Sequence, residues 1–170
     1  MKEQHQGQQQ PRPETREGVI LFSVAGFKLA IAAAAVKEIR GMEGLQPFTL
    51  SGISQKLEKL RYTLERGGNT YFVVDAASHF RLSSSRHSRV MVLREMAVAL
   101  LVDATDRMME ISALHTLPRV FTHEEREWYR GLALLQGEVV PVVNHGAILT
   151  RAEQEALRNS LENLRGTAAV

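Results

Sequence analysis

Apolar positions along this chain fall into short runs separated by turn residues. The first, VILFSVAGFKLAIA from Val19, breaks at Ala25-Gly26 between two stretches of branched and aromatic residues, which predicts a β-hairpin. The alanines at 32–35 then lead into Val36-Lys-Glu-Ile-Arg-Gly41, and 45–48, with Pro47, reads as irregular. TYFVVDA, 70–76, predicts a strand. Residues 89–102 hold two more, joined near 94–96, and 108–111 continue the sheet. Residues 132–135 and 138–143 are strands on either side of Gln136-Gly137. Thr122-His-Glu-Glu125 is a capping box opening a short helix toward Trp128, and Thr150-Arg-Ala-Glu153 is a second one. The second helix has Ala156, Leu157, Leu161 and Leu164 on one side, with Gly166 expected to close it.

One segment changes period. Ile53, Leu57, Leu60 and Leu64 are spaced four, three and four apart, which predicts a helix over 51–64 ended by Gly67-Gly68. Four exposed aliphatics would form a patch, so this helix is expected to lay its apolar face on the sheet.

The two halves of the chain resemble each other. Val36-Lys-Glu38-Ile39 has a counterpart in Met108-Met-Glu110-Ile111, and Tyr71-Phe-Val-Val-Asp75 has one in Val140-Pro-Val-Val-Asn144. The order is shared and the separations are nearly constant, which predicts an internal duplication with Glu38/Glu110 and Asp75/Asn144 as equivalent pairs. An all-β unit of this length makes a small five-stranded barrel, and two such barrels would pack side by side around a shared core. The many short strands, without βαβ alternation, argue against a Rossmann-like fold.

Composition narrows the class further. The chain has 170 residues, 44% apolar and 24% charged, with 21 Lys+Arg against 19 Asp+Glu, as in a soluble globular protein. A net charge of +2 gives little drive toward nucleic acid. There is no cysteine, so disulfides, thiol catalysis and thiolate metal sites are excluded. Residues 1–18 are polar and rich in Gln, so they are expected to be a disordered tail ahead of a domain over 19–150 and a C-terminal helix and tail over 151–170. No apolar run approaches the roughly 20 residues of a spanning helix, and no signal peptide is recognisable. A cytoplasmic protein without direct membrane insertion is expected.

The motifs of enzymes are missing: no Gly-x-Ser-x-Gly, no phosphate loop, no Gly-x-Gly-x-x-Gly. The six histidines show no helical i, i+4 pair, and no metal or cofactor is expected. Asp75, Ser78 and His79 have the residue types of a hydrolase triad, but chain neighbours on a strand point opposite ways. Asp75 and Asp103 are better read as strand-end carboxylates that bind nearby backbone N–H groups. Residues 79–94 carry Arg81, Arg86, Arg89 and Arg94 with no acid, so an alternative reading is a small basic β-barrel that binds nucleic acid through this loop. It lacks interleaved aromatics for base stacking. Val36, Gly41, Gly68 and Gly131 lie at expected strand edges or turns, positions that suit a protein whose work is contact.

These residues, taken in order, resemble the CheW family of bacterial chemotaxis coupling proteins. The resemblance runs from about Val19 to Arg165. It rests on the opening hairpin FSVAGFKLAI, Val36 to Gly41, Leu100-Leu-Val-Asp103, Trp128 with Gly131, Pro141 with Asn144, and the closing capped helix. It implies a mainly β fold of two packed five-stranded SH3-like β-barrels with a C-terminal helix. It also implies a non-catalytic adaptor between the cytoplasmic tips of chemoreceptors and the regulatory domain of a CheA-type histidine kinase. Val36, Glu38, Gly68 and Gly131 are the contact residues chosen on this reading. The family's Leu-Arg-Gly-x-x-x-Pro-x-x-Asp is altered here: counting back from Asp75, Gly68 takes the family glycine, Gly67 its arginine and Phe72 its proline. A helix over 51–64 would replace a family strand and weaken receptor coupling.

Overall fold

The computed structural model describes residues 16–48, 57–83 and 86–167. Its strands are β1 (Glu17–Val24), β2 (Phe27–Ala32), β3 (Val36–Arg40), β4 (Leu45–Pro47), β5 (Leu60–Arg66), β6 (Asn69–Asp75), β7 (Arg89–Leu93), β8 (Val98–Val102), β9 (Ala104–Ile111), β10 (Tyr129–Leu135) and β11 (Glu138–Val143). The helices are α1 (Ala76–His79), α2 (His123–Trp128) and α3 (Arg151–Thr167). Residues 1–15, most of the expected tail, lie outside the described set, and β1 begins at Glu17, two residues ahead of the first apolar position.

The strands form two sheets, β10-β11-β2-β1-β9 and β3-β7-β8-β6-β5-β4. Replacing β1, β2, β9, β10 and β11 by β7, β8, β3, β5 and β6 turns the first order into the second. The senses also match, because β11 runs parallel to β2 as β6 does to β8. The fold is therefore two five-stranded SH3-like barrels from an internal duplication, the second extended by the short β4. The barrels are not the two halves of the chain. Each repeat gives its leading hairpin, β1–β2 or β7–β8, to the other repeat's three trailing strands.

The ladders set the equivalences. Val142 pairs with Ala30 and Val73 with Ala99, so Asp75 and Asn144 correspond, as the pattern predicts. Glu38 and Glu110 do not. Glu38 lies opposite Val92, whereas Glu110 lies opposite Gly18, and the residue matching Glu38 is Arg107. The repeated Glu-Ile dipeptide is a coincidence three residues out of register.

Side chains alternate between two environments, as strands require. The barrel interiors are matched cores, with Val19, Leu21, Ala30, Ala133, Val140 and Val142 in one and Val90, Val92, Ala99, Leu64, Tyr71 and Val73 at the same places in the other. The opposite faces of the two sheets meet in a third core, built from Phe22, Leu29, Ile31, Phe72, Val74, Met91, Leu93 and Leu100. Each such side chain contributes about 1.5–3 kcal/mol on burial, so this shared layer fastens the barrels together.

The expected helix over 51–64 is not formed where the structure describes it. Residues 51–56 lie outside the described set, and Leu60–Arg66 is strand β5, paired with β6 through the two-residue turn Gly67-Gly68. The helical spacing came from a β-bulge. The register shifts between Leu60 and Tyr62, so Leu60 faces the shared core while Leu64 faces the barrel interior. The second repeat has the same bulge between Tyr129 and Gly131. Two smaller differences concern β4 and α3. Residues 45–47 pair with β5 rather than being irregular, and α3 continues through Gly166 instead of closing there. Leu157 is fully buried, but Leu164 is 55% exposed. Both capping boxes form, with Thr122 and Thr150 side chains accepting from Glu125 and Glu153 N–H.

Candidate partner-binding surfaces

The four residues chosen from the sequence have different surroundings. Val36 is 6% exposed and belongs to the shared core. Glu38, one strand-pleat further along β3, is half-buried and accepts from Arg66 Nε at 3.1 Å, with Arg40 at 3.9 Å. Arg66 ends β5, so the strand that replaces the expected helix delivers this guanidinium to β3. Glu38 and Arg66 thus join the two rims of the second barrel. Gly68 sits at the tip of the β5–β6 hairpin with φ +78°, a conformation that favours glycine, and a Cβ there would meet nothing.

Gly131 has a packing role in mid-strand. A Cβ at Gly131 would lie 2.5 Å from the His115 carbonyl oxygen. His115 and Leu132 exchange two backbone hydrogen bonds of 2.8 Å, which draw the segment after β9 onto β10 and close the first barrel. Gln46 and Thr63 form the same pair in the second barrel, so the bridge is a rudiment of β4.

A surface the sequence did not single out lies on the outward side of the β10–β11 hairpin. Leu134 and Val139 face each other across the ladder, 62% and 65% exposed. Extending the β11–β2 register by three residues sets Phe27, 59% exposed, beside Val139. Leu132 and Pro141, half-buried, continue the stripe inward. Lys28 and Glu138, paired at 2.7 Å, form a charged rim. The pattern LALL at 132–135 was the available signal: four consecutive apolar residues on an alternating strand must put two on the outer face.

The polar groups between the barrels hold the fold. Asp75 accepts from Ala77 N–H at 3.0 Å and from Ser78 Oγ at 3.0 Å, and Asp103 accepts from Ala25 N–H at 2.8 Å, which is the strand-end role expected of both. His87 lies between them, 3.6 Å from Asp75 and 3.7 Å from Asp103. His79 bonds to Lys59. Its Nδ1 is 3.2 Å from Lys59 Nζ, which also donates to the Ile148 carbonyl at 2.5 Å. The lysine therefore fixes His79 as the Nε2–H tautomer. Burial, and then the Lys59 charge, push His79 down to about 3, and burial pulls Lys59 below its ordinary range against the pull of Glu153 and Glu124. Asp75, Ser78 and His79 therefore do not assemble as a triad. The arginines of 79–94 do not share one loop face either. Arg81 pairs with Glu124 at 2.9 Å and packs over Trp128, while Arg89 opens β7 and Arg94 follows its far end.

Two matched barrels with a shared core and an uncovered apolar hairpin face frame the molecule. A CheW-like domain family model matches residues 18–153, and the chain belongs to that family. The scaffolding protein TtCheW from Thermoanaerobacter tengcongensis has a similar solved structure, with a TM-score of 0.66 at 14% identity, covering 81% of this chain and 96% of that one. No curated protein sequence matches. The family role is that of a non-catalytic scaffold in chemotaxis signalling, and it is the role of this chain. No helix among the described residues is long and apolar enough to cross a membrane.

Proposed function

We propose that this chain couples the cytoplasmic tips of chemoreceptors to the regulatory domain of a CheA-type histidine kinase, as a cytoplasmic component of a receptor array. The observation that carries the kinase contact is the open apolar face of the β10–β11 hairpin, with Leu134, Val139 and Phe27 exposed inside a charged rim. A face of this kind suits a partner with a barrel end of similar character, because desolvating aliphatics supplies affinity while the rim sets orientation. The receptor contact is assigned to the rim of the second barrel, where Glu38 and Arg66 pair beside Ile39, 40% exposed. With β5 a strand, a helix no longer replaces the family strand there, while the arginine that lies one residue early, Arg66, reaches Glu38.

The test is a titration of the kinase regulatory domain with the wild type and with Leu134→Asp. The wild type is expected to bind with little dependence on salt, since the contact is apolar. Leu134→Asp is expected to lose at least ~10-fold in affinity while keeping its fold, the size of loss typical of a central contact. Wild-type and variant affinities that agree would remove this hairpin face from the kinase contact.

A further inference from the structure

A cleft of about 620 Å³ opens beside the start of β5, between α1, α2 and the first turn of α3. Equivalent residues of the two repeats stand on its walls: Lys59 and Trp128, Ser78 and Ala147, Arg81 and Thr150. The match of Lys59 with Trp128 is set by the backbone. The Lys59 carbonyl accepts from Asp75 N–H at 2.7 Å, just as the Trp128 carbonyl accepts from Asn144 N–H at 2.7 Å. One repeat therefore fills this position with a buried indole, and the other places an amine there.

Lys59 is half-buried, and both partners of its Nζ are uncharged. One is the Ile148 carbonyl at 2.5 Å, and the other is Nδ1 of neutral His79 at 3.2 Å. A neutral amine has two N–H groups and one lone pair. These two acceptors use both hydrogens, so the lone pair is left for the cleft that Lys59 lines. Partial removal from water favours this neutral form, and burial lowers Lys59 from its ordinary range, with Glu153 and then Glu124 pulling the other way. Desolvation of this kind is what makes a lysine nucleophilic.

We propose that Lys59 is a modification site: its Nζ takes acyl groups from small acyl phosphates that enter this cleft. In the step, the Nζ lone pair attacks the carbonyl carbon and the bond from that carbon to the phosphate oxygen breaks. Phosphate leaves with the electron pair and takes up the proton shed by Nζ. The product amide is uncharged and has a single N–H, so it keeps only one of the two bonds that tie β5 to His79 and Ile148. Modification thus loosens the junction between β5 and the segment leading into α3. The site goes beyond the coupling role and does not depend on it.

The test treats the full chain with acetyl phosphate at about pH 7.5 and follows acetylation of each lysine by mass spectrometry of its peptides. Lys28, an exposed lysine paired with Glu138, is the internal reference. Lys59 is expected to react at least ~3-fold faster than Lys28, because a larger share of it is neutral at this pH. Its rate is also expected to level off at a lower pH than that of Lys28. In concentrated urea the two lysines are expected to react alike, since the cleft is gone. Equal or slower reaction at Lys59 in the folded protein would overturn the proposal. So would an advantage that persists in urea, which would assign the reactivity to the neighbouring sequence instead of the cleft.

Discussion

The β5–β6 and β10–β11 hairpins share a backbone design and differ in what lies over them. Both have a bulge at the same place and the same two-residue turn class, with positive φ at Gly67 and Gly68 in one and at Gln136 and Gly137 in the other. Both turn one face into a barrel core of matching residues. On the other face, β5–β6 buries Phe72 beside Phe48, while β10–β11 leaves Leu134 and Val139 open. Duplication thus preserved the inside of the barrels, where volume and register are constrained, and let the outsides diverge, with Glu65 and Thr70 in one hairpin where the other has Leu134 and Val139.

The base of the β5–β6 hairpin is expected to be the more sensitive to a buried charge. Leu60, 7% exposed, faces the shared core, and Leu60→Asp should cost about 4 kcal/mol in chemical denaturation. A loss below about 1 kcal/mol would show that this end of β5 is loosely held. The closures of the two barrels differ next. Gly131→Ala meets the His115 carbonyl and should cost about 2–3 kcal/mol, since backbone on backbone cannot give way easily. Tyr62, its counterpart, already carries a side chain, so Tyr62→Ala should cost less than Gly131→Ala. The reverse order would mean that the His115 bridge is not what closes the first barrel.

A third contrast concerns pH. By the repeat register, His79 stands where the second repeat has Ile148, and both are buried. His79 is held neutral down to about 3 by burial and then by Lys59, while in the unfolded chain it titrates near its ordinary value. Its contribution is therefore fully present above about pH 6.5 and is lost as pH falls from there toward 3, at about 1.4 kcal/mol per unit. At pH 5 the expected loss is about 2 kcal/mol. His79→Ile, which copies the other repeat, should flatten this slope in stability curves taken from pH 7 to 5. An unchanged slope would assign the acid sensitivity to other groups. The smallest effect is expected at the rim: Glu38→Gln breaks a half-exposed pair with Arg66 and should change stability by less than about 1 kcal/mol. A larger loss would make the pair a structural clamp instead of a contact surface.

Much of the fold was legible because local signals are short-ranged. The hairpin at Ala25-Gly26, the strands around Gln136-Gly137 and both capping boxes depend only on neighbours a few residues away. The duplication was legible too, but not the exchange of hairpins. Repeat order fixes which strands are equivalent and says nothing about which copy they join. The helix over 51–64 failed because a bulge at Arg61 gives Leu60 and Leu64 a four-residue spacing on opposite faces, which imitates a helical stripe. The strand implied there by family resemblance was the better guide. Of the residues chosen as contacts, Glu38 reached the surface and Val36 did not, because the register shifts between them and turns Glu38 off the core face. Phe27, Leu134 and Val139 were not singled out from the sequence, where an uncovered aliphatic strand has the same composition as a buried one.

The measurement that tests the account most directly compares Val139→Asp with Thr70→Asp in one titration of the kinase regulatory domain. The two residues occupy the same position in the two repeats, Val139 on the apolar face and Thr70 hydrogen-bonded to Arg165. The account predicts that Val139→Asp lowers affinity by at least ~10-fold and that Thr70→Asp leaves it unchanged. Equal losses, or a loss at Thr70 alone, would contradict the claim that the open β10–β11 face is where this protein docks its partner.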